Sequence, residues 1–292
     1  MANTGKIALA AGANQAILSI GPAGATLSGA GTVTLGDNAG DEITGSGMLT
    51  NNETIVGSGL IGGGALTLNN GAVGHIVGAG ATGLTIDTGS NTIANAGLIE
   101  AGSKNAVIVK SVIANTGTLE VVRGTLTLDG TVTGSGSAKI NGGTLDAEAA
   151  FSESVTFIGG KGVLELAQSQ TYAGSVSGFS LTGASSLDLR DIGFVSSTEA
   201  TFSGTATSGV LTVTDGTHTA HITLVGDYRA STFTASSDGH GGTIVVDPTA
   251  PAITAHRFIA AAAGLGGAVG GTAIQTSQGP PVRELMLASP HT

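Results

Sequence analysis

The chain has 292 residues, of which 50 are Gly, 10% are charged, 3% are aromatic and none is Cys or Trp, with a formal net charge of −10. Low charge beside 40% hydrophobic residues excludes compositional disorder. The missing Cys excludes disulfide staples and thiolate metal sites, and scattered Lys and Arg argue against nucleic acid and anionic membrane surfaces as partners.

Residues 1–30 are rich in Gly and Ala and read as an N-terminal cap or an irregular first coil. Lys6 is the one charged side chain before a short apolar run broken by Gly12 and Asn14, which does not form a secretory signal. Export through another signal, or a start inside a longer protein, is therefore expected. From Thr32-Val33-Thr34-Leu35 onward, short β-prone bursts alternate with Gly, Asn and Asp.

Two ladders organise these bursts. One has the form aliphatic-x-(Gly/Asn)-x-Gly and runs Ile43, Ile55, Ile76, Ile93, Ile113, Val132, Ile158. The other has the form apolar-x-apolar and runs Leu66, Leu84, Val107, Leu126, Leu145, Leu164, Leu187, Leu211. Both step by about twenty residues, a unit too short to bury its apolar face alone, so neighbouring copies must cover it. The clearest pair is Ile93-Ala94-Asn95-Ala96-Gly97 against Ile113-Ala114-Asn115-Thr116-Gly117. In a strand, Leu126 and Leu128 share one face and Thr127 points to the other. The prediction is an all-β parallel β-helix over residues 31–202, with stacked aliphatics inside and Thr and Ser rows outside. Asn95 and Asn115 fall in register at one corner, where Asn tolerates a left-handed backbone and stacked amides bond along the ladder. Gly97 and Gly117 serve that corner, where positive φ or tight space excludes a Cβ.

All seven Phe lie at or after Phe151, which predicts wider late coils. From Thr205 the period is lost. Asp215-Gly216 between two alternating runs signals a hairpin within a capping module over 203–247. Residues 248–292 form a tail, flexible or partly helical. Its uncharged stretch 258–275 is long enough to span a membrane, but Ala and Gly dominate it and no span is expected.

The pattern resembles the right-handed parallel β-helix of bacterial autotransporter passengers and large secreted adhesins. Asn95-Ala96-Gly97-Leu98-Ile99 and Gly124-Thr125-Leu126-Thr127-Leu128 carry the likeness. The run Leu211-Thr212-Val213-Thr214-Asp215-Gly216, with Asp238-Gly239-His240-Gly241-Gly242-Thr243 after it, resembles a module near the C-termini of repetitive bacterial surface proteins. Residues 284–292 resemble uncleaved signals of one-step secretion. The resemblance implies an extracellular or cell-surface stalk, adhesin or fibre subunit. Its partners would be a cell-surface or matrix component, carbohydrate among them, or further copies of itself.

Candidate chemistry is sparse. Asp37 and Asp41, in Gly36-Asp37-Asn38-Ala39-Gly40-Asp41, are the calcium candidates, though one copy departs from the calcium-binding nonapeptide and reads first as a polar corner. No other cofactor is implied. His218 and His221 are three apart in an expected strand and so face opposite sides, and His240 sits in a Gly-rich turn. Glu100 and Glu120 are expected to stack one coil apart as an exposed row. Asp188, Arg190 and Asp191 form the densest charge cluster, with Arg190 paired to a neighbouring carboxylate. No catalytic set emerges. The alternative is a polysaccharide-processing enzyme or tailspike-like depolymerase on the same scaffold, and after it ice binding through Thr-x-Thr pairs such as Thr125 and Thr127.

Overall fold

The computed structural model describes residues 2–10, 12, 14–102 and 105–249. They are nearly all β, wound into a parallel solenoid of about 8 turns. The middle turns contribute a short strand to each of three faces, and the later ones to two. One face stacks Thr67–Asn70, Ile93–Asn95, Ile113–Asn115 and Val132–Gly134. The second stacks His75–Gly78, Leu98–Ala101, Thr118–Val121, Ser137–Ile140, Ser154–Phe157 and Ser175–Ser177. The third runs from Ile17–Ile20 through Glu42–Gly45, Gly59–Gly62, Leu84–Ile86, Val107–Val109, Thr125–Leu128, Thr144–Ala147 and Gly162–Leu166 to Ser185–Leu189. The long strands Ala25–Leu35 and Met48–Gly57 bend at the corner and serve the first two faces in turn.

Alternation explains this packing. Leu84, Val107, Leu126, Leu145, Leu164 and Leu187 lie in one register column, each at most 1% exposed. Every aliphatic in it sits on another, so the column behaves as one continuous core. The ends of that ladder fall elsewhere: Leu66 precedes a strand of the first face, and Leu211 lies in the terminal hairpin.

The other ladder mixes faces. Ile93, Ile113 and Val132 are true partners on the first face, and Ile55 and Ile76 on the second. Ile43 belongs to the third face, and Ile158 lies in a 3₁₀ turn, exposed. Strands of all three faces carry a buried aliphatic near their start, so one pattern serves three positions.

Within the first thirty residues the described stretches include regular strands. Lys6–Leu9 pairs in parallel with Thr32 to Leu35, and Ile17–Ile20 with Glu42–Gly45. At the other end the strand direction reverses. Ala200–Gly204, Ser208–Thr214 and Thr219–Val225 form an antiparallel meander whose last strand continues the second face in parallel with Ser175–Ser177. Thr243–Val246 lies antiparallel on Ser185–Leu189, and Thr234–Ser237, antiparallel on it in turn, forms the edge of the third face. Aromatic rings fill the space beneath: Phe157, Phe179, Phe233, Phe202 and Tyr228 are linked by centroid distances of 5.7 to 6.2 Å. The tail 251–292, with its 258–275 stretch and secretion-like end, lies outside the described residues. Among the described residues no helix is long and apolar enough to cross a membrane.

Gly117 shows why the corner excludes side chains. A Cβ there would lie 2.1 Å from the Gly97 carbonyl oxygen, and one on Gly97 would lie 2.1 Å from that of Gly74. Neither has positive φ, so close approach between coils, not backbone handedness, selects glycine here.

Candidate functional site

Two polar arrangements run along the stack. The first is buried. Asn51, Asn70, Asn95 and Asn115 line one corner, each at most 1% exposed. Asn51 Nδ2 donates to Asn70 Oδ1 at 2.8 Å, Asn70 to Asn95 at 2.7 Å, and Asn95 to Asn115 at 2.7 Å. The expected left-handed backbone is absent: no described non-glycine residue has positive φ. Asn stands there because its amide both donates and accepts along the axis, which leaves no interior rung unsatisfied. Two carboxyls flank the ladder. Glu53, 4% exposed, accepts from Asn3 Nδ2 at 3.1 Å. Glu153, 3% exposed, lies near the Asn115 amide and the Gly136 N–H without a well-formed hydrogen bond to either. Burial raises its pKa, against the pull of those two donors.

The second arrangement faces outward on the third face. Thr127, Asp146, Glu165 and Asp188 are register partners on successive strands, at the middle position of the Leu-x-Leu ladder. Arg190 reaches back across the coils to Glu148 at 2.5 Å, Glu165 at 3.3 Å and Asp146 at 3.5 Å. One guanidinium thus serves several carboxylates. Burial, then Glu165 and Glu148, push Asp146 up to about 6 despite Arg190 and Thr127. Burial and then Asp238 push Asp188 up to about 6, against Arg190 and His240. Burial and then Asp188 raise Glu165. Burial would raise Asp238 too, but the N–H groups of His240, Gly242 and Gly241 outweigh it and hold it low.

Chemically, this column offers proton donors and acceptors near pH 6 beside a fixed cation. It lies on an open sheet face. Two depressions of the described surface, of about 430 Å³ beside Phe202, Tyr228 and Phe233 and about 280 Å³ beside Gly97, Gly117 and Glu120, are lined by other residues.

The remaining sequence candidates separate. Asp191 does not join Asp188 and Arg190. It lies past the end of the strand and accepts from Ser169 N at 3.0 Å, Ser169 Oγ at 2.5 Å and Gln170 N at 3.2 Å, bracing the turn Ser169–Thr171. Asp37 and Asp41 brace different coils: Asp37 Oδ1 accepts from Ala81 N at 2.5 Å, and buried Asp41 accepts from Ala16 N at 3.0 Å. Among the described residues no group of three or more His, Asp or Glu is disposed to hold a metal ion. Glu100 and Glu120 are register partners, with Lys139 next in the column; burial and then Glu120 raise Glu100. His218 lies in the hairpin turn, not in a strand, with Nδ1 2.8 Å from Asp215 Oδ2. His221 is exposed on the next strand, with Nδ1 3.2 Å from Thr212 Oγ1. The threonine rows are broken, since Thr125 and Thr144 give way to Val163, and Thr127 to Asp146.

No protein-family model matches the chain, and no curated protein matches it.

Proposed function

We propose that this chain is a rod segment of an extracellular bacterial surface protein, serving as a stalk, adhesin or fibre subunit. The observation that carries this reading is where the chain places its polar groups. Its buried ones, from Asn51 to Asn115, bond along the axis and tie coil to coil. Its densest charges stand on a sheet face, shared around Arg190. Stiffness follows because bending would strain three parallel ladders and the amide row together. Attachment is then a property of the outward side chains, to a cell-surface or matrix component or to another copy.

A second reading is favoured by one observation. Asp146 and Asp188, each near 6, flank Glu165 in one register column, and a polysaccharide-cleaving enzyme needs a carboxyl acid beside a carboxylate. Incubating the purified chain with acidic and neutral polysaccharides and assaying new reducing or unsaturated ends separates the two. The rod reading expects no cleavage, and binding of chain-coated beads to cells or matrix that survives Asp146→Asn and Asp188→Asn. Cleavage abolished by either substitution would overturn it in favour of the enzyme.

A further inference from the structure

We propose that Asp247-Pro248 is a self-cleavage site, at which the Asp247 side chain severs its own peptide bond to Pro248 and releases residues 248–292. This is the one Asp-Pro pair in the sequence. It lies directly after Thr243–Val246, the strand that links Ser185–Leu189 to the edge strand Thr234–Ser237, and the compact unit beginning at Met1 ends at Ala250. The bond therefore joins the capped solenoid to the C-terminal stretch of the chain.

The side chain is set up unusually. Asp247 is 2% exposed, and its Oδ2 atom is buried without a hydrogen-bond partner. Buried polar atoms in folded proteins are almost always paired, and an exception calls for a reason. Here an oxygen without a partner is an oxygen left free to attack. Asp247 and Pro248 lie at the wall of an open depression of about 180 Å³, with Leu181, Asp227, Ser231 and Thr232, so water stands next to the buried carboxyl. Its titratable neighbours are Tyr228, whose hydroxyl donates to the Phe179 carbonyl and is raised in part by Asp247, and Asp227, held by Arg229 at 2.8 Å.

The chemistry balances with water alone. A carboxyl oxygen of Asp247 attacks its own main-chain carbonyl carbon and closes a five-membered cyclic anhydride. The bond from that carbon to the Pro248 nitrogen breaks. The carboxyl proton passes to this nitrogen, which leaves as a secondary amine. Water then opens the anhydride, leaving Asp247 with both an α-carboxyl and a side-chain carboxyl. Proline matters twice: its tertiary amide nitrogen carries no N–H to compete for the side chain through a succinimide, and its fixed φ holds the leaving group in one orientation. The carboxyl and the carbonyl belong to the same residue, which makes the step intramolecular, and burial of the side chain restricts the conformations from which it can attack.

The test is a time course of intact-mass spectrometry on the full chain, at neutral and mildly acidic pH, folded and in denaturant. The expected result is conversion to residues 1–247 and a fragment beginning at Pro248. It should be faster at acidic pH, faster in the folded chain than in the unfolded one, and should place one heavy oxygen on Asp247 when run in heavy-oxygen water. Pro248→Ala keeps the carboxyl and should stay intact, as should Asp247→Glu, whose ring would be six-membered. A native chain that stays whole, one that breaks no faster than the unfolded chain, or one that breaks elsewhere overturns the proposal.

Discussion

Asn95→Ala tests the amide ladder most directly. Asn95 is an interior rung: it accepts from Asn70 at 2.7 Å and donates to Asn115 at 2.7 Å, at 1% exposure. Truncation removes both bonds at once. A net hydrogen bond contributes about 1 kcal/mol, and a buried group left unpaired costs about 1–3 kcal/mol more. The neighbours are partly rescued, because Asn70 Nδ2 also reaches the Leu98 carbonyl at 3.1 Å and Asn115 Oδ1 also accepts from Gly117 N at 3.3 Å. The expected loss is therefore about 2–3 kcal/mol, near the sum of the two bonds with a small orphan penalty. Guanidinium unfolding monitored by circular dichroism measures it, provided the slope matches that of the parent chain. A double-mutant cycle sharpens the test. Adjacent rungs Asn70 and Asn95 should couple by about 0.5–1.5 kcal/mol, while Asn51 and Asn115, at opposite ends of the row, should add within about 0.5 kcal/mol. Equal coupling in both pairs, or a loss for Asn95→Ala within about 0.5 kcal/mol of zero, refutes a continuous ladder.

The same stack sets three further expectations. Leu126→Asp sets a charge into a column 0% exposed and should cost several kcal/mol, about what an unpaired buried charge costs even after protonation. Thr127→Lys, one residue on and facing Asp146, should be tolerated in the same melt and should lower Asp146. Gly117→Ala drives a methyl to 2.1 Å from the Gly97 carbonyl and should lose about 1–3 kcal/mol, whereas Gly21→Ala, with nothing within 4 Å, should be near neutral by thermal melting.

Stability should also depend on pH. Asp146 and Asp188 ordinarily titrate at 3.8 and sit near 6 in the fold. Between those values the folded chain binds more protons than the unfolded one, so stability falls as pH rises through that window. Asp227, lowered to about 2, works the other way and loses its contribution as pH falls from 3.8 toward 2. Melting temperature plotted against pH should therefore peak at mildly acidic pH, and the Asp146→Asn, Asp188→Asn double variant should flatten its neutral side. A peak at alkaline pH in the parent chain contradicts the assignment.

The third face was legible from Leu84 to Leu187 because one apolar-x-apolar pattern repeats there with buried partners in register. The corner asparagines were legible only as the pair Asn95 and Asn115, twenty residues apart. Asn70 lies 25 residues from Asn95, and Asn51 19 from Asn70, since turn lengths vary between coils. The carboxylate column was hidden for a related reason. Asp146 lies 44 residues from Arg190, so their contact appears only once the register of the intervening turns is known. Its signal was nonetheless present: Asp146, Glu165 and Asp188 are the middle residues of consecutive ladder motifs. Asp191 misled because adjacency in sequence stood in for adjacency in space; it lies past the end of the strand Ser185–Leu189.

The match between the coils around Gly97 and Gly117 bears on how such a molecule changes over generations. Asn115 stands one rung above Asn95, and Gly117 leans on the Gly97 carbonyl as Gly97 leans on that of Gly74. An in-frame duplication or loss of one such unit would present the same surfaces above and below, with both ends of the molecule untouched. Recombination within one gene could then set reach in increments of a single strand spacing, about 4.8 Å, without inventing a new fold.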